Sequence, residues 1–140
     1  MAAENHVVDT GPLVAFIDAR DRDHEWSVAT LGKLRPPLIT CEAVLSETLF
    51  LLRADAAAPQ KIATLFERGL LVSHPLLDQD AAAVFALMQT YSDRPMSLAD
   101  ACLVRLSEKI RGSVVVTLDS DFTVYRRHRR QAIPLLCPSR

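Results

Sequence analysis

The sequence predicts an α/β fold, a three-layer α/β/α sandwich around a small, mostly parallel central sheet. Two observations carry this. Short apolar runs of strand length alternate with longer helix-compatible segments, which is the pattern of a parallel sheet covered on both faces. The composition agrees: aromatics are only 6% while alanine and leucine dominate, favouring helices packed on something flat. At 140 residues the chain reads as one domain, residues 1–140, long enough to bury a core without covalent staples.

Each element has its own signal. "HVVD" at 6–9 is a short strand, and Pro12 suits the first position of a helix that continues through "LVAFID". "RDRDHEWSVATLGKL" at 20–34 begins polar and turns amphipathic, predicting a loop and then a second helix. "PPLIT" at 36–40 is a brief strand, and Thr40 is placed to cap the helix "CEAVLSETLFLLRA". Residues 59–69 form another helix, "LLVSHP" at 70–75 a strand, and 78–91 an alanine-rich helix. Ser97 and Asp100 have the spacing of a capping box, opening a helix that runs to Ile110 and stops before Gly112. "SVVVTL" at 113–118 is the most strand-like segment of the chain. "AIPLL" at 132–136 is a last strand, and Pro134 marks it as an edge.

Bulk properties narrow the function. The formal net charge of −1 gives no global basic field for nucleic acid, although a local patch can serve. Cys41, Cys102 and Cys137 are odd in number and widely spaced, so they read as thiols in a reducing compartment. "MAAENH" lacks the basic start and long apolar run of a signal peptide, and no stretch nears the roughly 20 apolar residues of a membrane span. A cytoplasmic location is the expectation.

Parallel sheets gather ligands outside the carboxyl ends of their strands. Asp9 ends the first strand and Asp119 ends the strongest one, with Asp121 two residues on. On helical geometry Glu47 borders an apolar arc that includes Val44, Thr48 and Leu51, while Asp100 leans toward the packed side with Leu103 and Val104. Singly, each acid has an ordinary reading. Asp9 can be a turn, Glu47 can reach out to water, Asp100 can be a helix cap, and "TLDSD" can be a solvated turn. Gathered carboxylates repel and resist ionising, and a hard divalent cation resolves that conflict. His6, His24, His74 and His128 do not fall at zinc spacing. The available chemistry is metal-assisted attack of water on a phosphodiester.

With these residues in place, the sequence resembles the PIN-domain ribonucleases, especially the VapC-type toxins of toxin–antitoxin pairs. "VVDTGPLVAFID" is similar to the first-strand motif with its aspartate, here Asp9. "ITCEAVLSETLFLL" is similar to the helix bearing the family glutamate, on Glu47 and not Glu42. "MSLADACLVRLSE" resembles the third motif, with Asp100, and "VVVTLDSDFTVYR" the closing segment, with Asp119 and the auxiliary Asp121. The match keeps the family's motif order over nearly the whole chain.

The resemblance implies a single PIN-like nuclease domain and a Mg²⁺- or Mn²⁺-dependent endoribonuclease. It also implies a homodimer and a small antitoxin protein that blocks the site. Asp9, Asp100 and Asp119 would hold the cation, and Glu47 would orient or deprotonate the attacking water. Thr10 and Thr117 would bond neighbouring carboxylates or a substrate phosphate.

"YRRHRR" at 125–130 is either a solvated charged face or a cradle for RNA phosphates made by Arg126, Arg127, Arg129 and Arg130. Tyr125 either stacks on a base or belongs to the core. An aspartic protease needs a second Asp-Thr-Gly and a largely β fold, and this chain has one copy among many helices. No Gly-rich loop ends in lysine as a P-loop requires. Hydrolases built on Asp-x-Asp need an acid where Gly11 stands. The remaining rival is a degenerate PIN module that binds RNA or a protein partner without cutting.

Overall fold

The computed structural model describes residues 4–139, so the first three residues of "MAAENH" lie outside it. In chain order the elements are β1 (Asn5–Val8), α1 (Thr10–Ile17), α2 (His24–Lys33), β2 (Leu38–Thr40), α3 (Glu42–Leu51), α4 (Ala58–Glu67), β3 (Leu71–Ser73), α5 (Leu77–Thr90), α6 (Leu98–Lys109) and β4 (Ser113–Val116). A single 3-10 turn over Ser120–Thr123 follows. Then come a hairpin, β5 (Arg126–Arg127) and β6 (Gln131–Ala132), and a last strand, β7 (Leu135–Leu136).

Five strands form one sheet in the order β3-β2-β1-β4-β7, every pair parallel, flanked by helices. This is the α/β arrangement the alternating pattern predicts. Val7, Val8, Val115 and Val116 are fully buried in the two middle strands, as expected where both faces of a parallel sheet are covered. Helix α6 is the most deeply set helix, burying Leu103, Val104 and Leu106 completely. Among the described residues no helix is long and apolar enough to cross a membrane.

Register decides where the chemistry lies. Val8 stands beside Val116, so the residues that follow them, Asp9 and Thr117, leave the sheet next to each other. Asp9 N–H still donates to the Val116 carbonyl at 3.0 Å, which extends the ladder by one bond. Gly11 lies in close approach to the exit of β4. A Cβ at that position would meet the Leu118 side chain at 3.2 Å, so Leu118 would have to shift by a few tenths of an ångström to admit it.

Several boundaries differ from the sequence expectation, each for a physical reason. Helix α1 begins at Thr10, two residues before Pro12, because the Asp9 carboxylate accepts the Thr10 amide and caps the helix there. Pro12 remains in the first turn, where its missing N–H costs nothing. Thr40 does not cap α3. It stays in β2 and its hydroxyl donates to the Val8 carbonyl at 3.1 Å, leaving Cys41 as the residue that precedes the helix. "AIPLL" divides: Ala132 pairs in the hairpin, and only Leu135–Leu136 joins the sheet edge. Of the two leucines at the end of α3's apolar arc, Leu52 is buried as expected, while Leu51 faces solvent. Gly112, at φ +71°, makes the turn from α6 into β4 that a side chain would strain.

Candidate active site

Asp9 is fixed from three directions. The end of β1 delivers it, its Oδ1 accepts the Thr10 amide at 2.7 Å, and its Oδ2 accepts the Thr117 hydroxyl at 2.8 Å. It is only 5% exposed. Burial pushes its carboxyl up to about 7, against the two hydrogen bonds that favour the anion. The negative charges of Asp100 and Asp119 add to the rise.

Asp100 arrives from the first turn of α6. Its amide donates to the Ser97 hydroxyl at 3.0 Å, and its carboxylate accepts the Ser97 amide at 3.4 Å, completing the capping box. The cap and the site are therefore one residue doing two things. Tyr125 donates its hydroxyl to Asp100 Oδ2 at 3.1 Å. Burial raises the Asp100 carboxyl, the bonds from Ser97 and Tyr125 lower it, and Asp119 raises it again.

Asp119 follows β4 and is held by its neighbours. Its amide donates to Thr117 Oγ1 at 2.9 Å, and its Oδ1 accepts the Asp121 amide at 2.9 Å, capping the 3-10 turn. Glu47 is solvent-exposed on α3, yet partial burial and the charges of Asp100 and Asp119 raise its carboxyl. Four acids from four separate parts of the chain thus share one electrostatic neighbourhood.

The arrangement is open, not a closed cage. Among the described residues, no three His, Cys, Asp or Glu side chains are gathered as a ready-made metal cluster. The donor set nonetheless suits a hard cation: all the candidate ligands are carboxylate oxygens, and among the described residues their mutual repulsion is unrelieved by any bonded cation except at Asp121. The Thr10 hydroxyl beside Asp9 is buried with no hydrogen-bond partner, a donor left for a ligand or water.

Around this centre the structure sorts the basic and aromatic residues. Arg127 is buried, 7% exposed, and its Nη1 donates to the carbonyls of Ser107 and Ser113 at 3.3 and 3.1 Å. That corrects its placement among the RNA-binding arginines: it ties β5 to the end of α6. Arg126 is half-buried and its Nη1 donates to the carbonyls of Thr123, Val124 and Tyr125. Arg129 and Arg130 are exposed at the hairpin turn, where His128 and Arg129 both have positive φ.

Tyr125 is wholly buried, edge-on to Tyr91 and to Phe122 at 5.1 Å each, so it belongs to the core and does not stack on a base. The sequence reading overlooked Arg94, whose Nη1 lies 3.6 Å from Asp121 Oδ1 at the edge of the acidic group. Its only signal was the pair Arg94–Pro95 just ahead of the capping box.

A family model for the PIN domain matches residues 6–127. The chain belongs to the PIN-domain family. Its PIN domain is 25% identical over 126 residues to the ribonuclease VapC26 of Mycobacterium tuberculosis, the match covering 87% of each chain. It also superposes on the crystal structure of the Mycobacterium tuberculosis toxin VapC20, described as cleaving the sarcin–ricin loop. That likeness has a TM-score of 0.75 at 22% identity and covers 91% of this chain and 99% of the other. It shows that the five-stranded PIN fold extends over nearly all of this chain.

Proposed function

We propose that this PIN domain is a metal-dependent endoribonuclease that hydrolyses RNA phosphodiester bonds, and that it is the toxin of a toxin–antitoxin module. The observation that carries the reading is the state of Asp9: a buried carboxyl, raised by burial and by two neighbouring acids, at the carboxyl rim of a parallel sheet. A purely structural aspartate in such surroundings would be costly. An aspartate that receives a divalent cation is not. Similarity to the ribonuclease VapC26 supports the choice of RNA.

In this reading Asp9, Asp100 and Asp119 hold Mg²⁺ or Mn²⁺, directly or through its waters. When bound, the ion lowers the pKa of water and offsets charge on the phosphate. Glu47, exposed and with a raised carboxyl, orients the attacking water and takes its proton. Thr117 holds Asp9 and Asp119 in register, and the unpartnered Thr10 hydroxyl is available to water or a phosphate oxygen. Asp121 positions Asp119 through its amide and faces Arg94. Arg129 and Arg130, with Arg126 behind them, supply positive charge for the RNA backbone.

The same reading gives the chain a small antitoxin partner, a cytoplasmic location and a homodimeric state. Phe50 and Leu51 on α3 and Phe85 on α5 are exposed apolar side chains that a second copy could cover. The test is incubation with total RNA in Mg²⁺, in Mn²⁺ and in EDTA, followed by mapping of new ends. Discrete new ends with either metal, absent in EDTA, are the expected result. RNA bound but left uncut under all three conditions would instead favour a degenerate binding module.

A further inference from the structure

The parallel register sets a row of residues along the carboxyl rim of the sheet. Val7 stands beside Ile39, so β1 and β2 end together at Val8 and Thr40, and Thr40 stands beside Ser73 in β3. The Thr40 hydroxyl donates to the Val8 carbonyl at 3.1 Å, and the His74 amide donates to the Thr40 carbonyl at 2.8 Å. Asp9, Cys41 and His74, the next residue on each strand, therefore leave the sheet side by side. Neighbouring strands are about 4.8 Å apart, which puts Cys41 roughly 5 Å and His74 roughly 10 Å along the rim from Asp9.

Beside the acids, this row opens on a cavity of about 510 Å³ lined by Cys41 and His74. That volume falls within the roughly 300–1,000 Å³ of small-molecule sites. The helices that carry two of the site's acids also wall the cavity. Ser46 precedes Glu47 on α3, and Leu98 lies two residues ahead of Asp100 on α6. Leu77, 39% exposed at the start of α5, adds a third wall. The polar groups are mostly acceptors. Glu42 and Asp78 bring carboxylates from the first turns of α3 and α5, and neither has a hydrogen-bond or ion-pair partner among the described residues. His74 Nδ1 lies 2.9 Å from the Pro75 carbonyl, which only accepts, so the neutral ring keeps Nε2 as a further acceptor.

We propose that this cavity is a nucleobase subsite, taking the base of a nucleotide that flanks the scissile phosphate and selecting one with an exocyclic amino group. Carboxylate walls repel a phosphate and receive N–H donors, so the base enters and the backbone stays on the rim. Adenine N6, cytosine N4 and guanine N2 each donate, whereas uracil presents the O4 acceptor that thymine does. A base splayed out of a single strand lays its faces on apolar side chains, here Leu77 and Leu98, while its edge is hydrogen-bonded. The assignment rests on the ribonuclease reading above and sharpens it, from RNA to RNA with a chosen base beside the cut.

The test uses the full chain and a short single-stranded RNA spanning a cut mapped in total RNA, or a mixed-sequence strand if none is cut. One abasic nucleotide is placed at each position in turn. At one position flanking the cut, base removal should slow single-turnover cleavage about tenfold or more. Uridine there should be cut about threefold or more slower than the preferred base. Leu77→Trp and, from another wall, Ser46→Trp fill the cavity. Each should cut the intact strand at the abasic rate and lose nothing further when the base is removed. Asp78→Asn combined with Glu42→Gln should flatten the preference against uridine. Filled variants with wild-type circular dichroism that still pay the full cost of base removal would overturn the proposal. A preference against uridine that survives the double substitution would overturn the selection by amino group. Binding in EDTA, read by fluorescence anisotropy on the same strands, separates the two readings. Base-dependent affinity that Leu77→Trp abolishes, in a protein that cuts nothing in Mg²⁺, would keep the subsite and remove the nuclease reading. Cleavage indifferent to base removal at every position would do the reverse.

Discussion

The Thr117 hydroxyl lies 2.8 Å from Asp9 Oδ2 and joins residues 108 positions apart in the chain. The same oxygen accepts the Asp119 amide at 2.9 Å, so one side chain aligns two acids across the β1–β4 seam. Thr117→Val keeps the shape and removes both bonds. Stability should fall by about 1–2 kcal/mol, because the Asp119 amide and the Asp9 oxygen lose their partner. The Asp9 carboxyl, deprived of a bond that favours its anion, should rise further. Cleavage should therefore drop most at low pH, moving the acidic limb of the pH–rate profile upward, with Thr117→Ser restoring it. An unmoved limb in Thr117→Val would count against this coupling.

The raised Asp9 carboxyl makes metal-free stability depend on pH. Its folded pKa of about 7 exceeds the ordinary aspartate value of 3.8, so the native state holds a proton that the unfolded chain has released. Stability is full below the lower value and is lost as pH rises through the upper one. Asp100 and Glu47 are shifted the same way and add to the slope. In EDTA, the denaturant midpoint should be higher at pH 5 than at pH 8. Asp9→Asn should flatten that difference and be the more stable protein at pH 8, by about 1–3 kcal/mol at roughly 1.4 kcal/mol per unit. Adding Mg²⁺ at pH 8 should stabilise the wild type and leave the variant unchanged. A wild-type midpoint that rises from pH 5 to pH 8 in EDTA would contradict the assignment.

Tyr125→Phe isolates one hydrogen bond. The ring keeps its contacts with Tyr91 and Phe122, while Asp100 loses the hydroxyl that steadies its anion. The expected cost is about 0.5–1.5 kcal/mol of stability and a several-fold loss of cleavage at saturating Mg²⁺. Calorimetry and single-turnover rates on the same sample check both. A full rate at low Mg²⁺ would show that the bond does not matter to the site.

The arginines should separate into two behaviours. Arg127→Ala removes the bonds to the Ser107 and Ser113 carbonyls, of which Ser107 keeps the Ser113 hydroxyl, and should lower stability by about 1–3 kcal/mol. Arg129→Gln with Arg130→Gln should leave the melting temperature unchanged and weaken RNA binding. It should flatten the salt dependence by roughly 0.7 in log–log slope per lost phosphate contact. Equal salt slopes before and after the double substitution would take the hairpin out of the RNA surface.

Much of the fold was legible because its signals are local. "VVDTGP" and "SVVVTL" are dense β-branched runs followed by turn formers, and the Ser97–Asp100 spacing is itself a cap. What escaped depends on tertiary partners. Thr40 has the chemistry of a cap, but a strand carbonyl at Val8 claims its hydroxyl. Arg127 sits in a run of arginines and is buried among them because the Ser107 and Ser113 carbonyls meet it in the fold. Leu51 and Leu52 both fall in the apolar arc, but only Leu52 finds a packed neighbourhood and Leu51 is left in solvent. The four acids stood out by position at strand ends and helix faces. Their coupling, and the hydroxyls of Thr117 and Tyr125 that hold them, follow only from the parallel register that brings β1 and β4 together.

The most direct measurement is single-turnover cleavage of RNA by the wild type and by Asp9→Asn, in Mg²⁺ and in EDTA, with circular dichroism on each sample. The account predicts cutting by the wild type in Mg²⁺, none in EDTA, and a loss of at least 100-fold in the variant with its fold intact. Cleavage that persists in EDTA, or a folded Asp9→Asn protein that cuts at the wild-type rate, would contradict it.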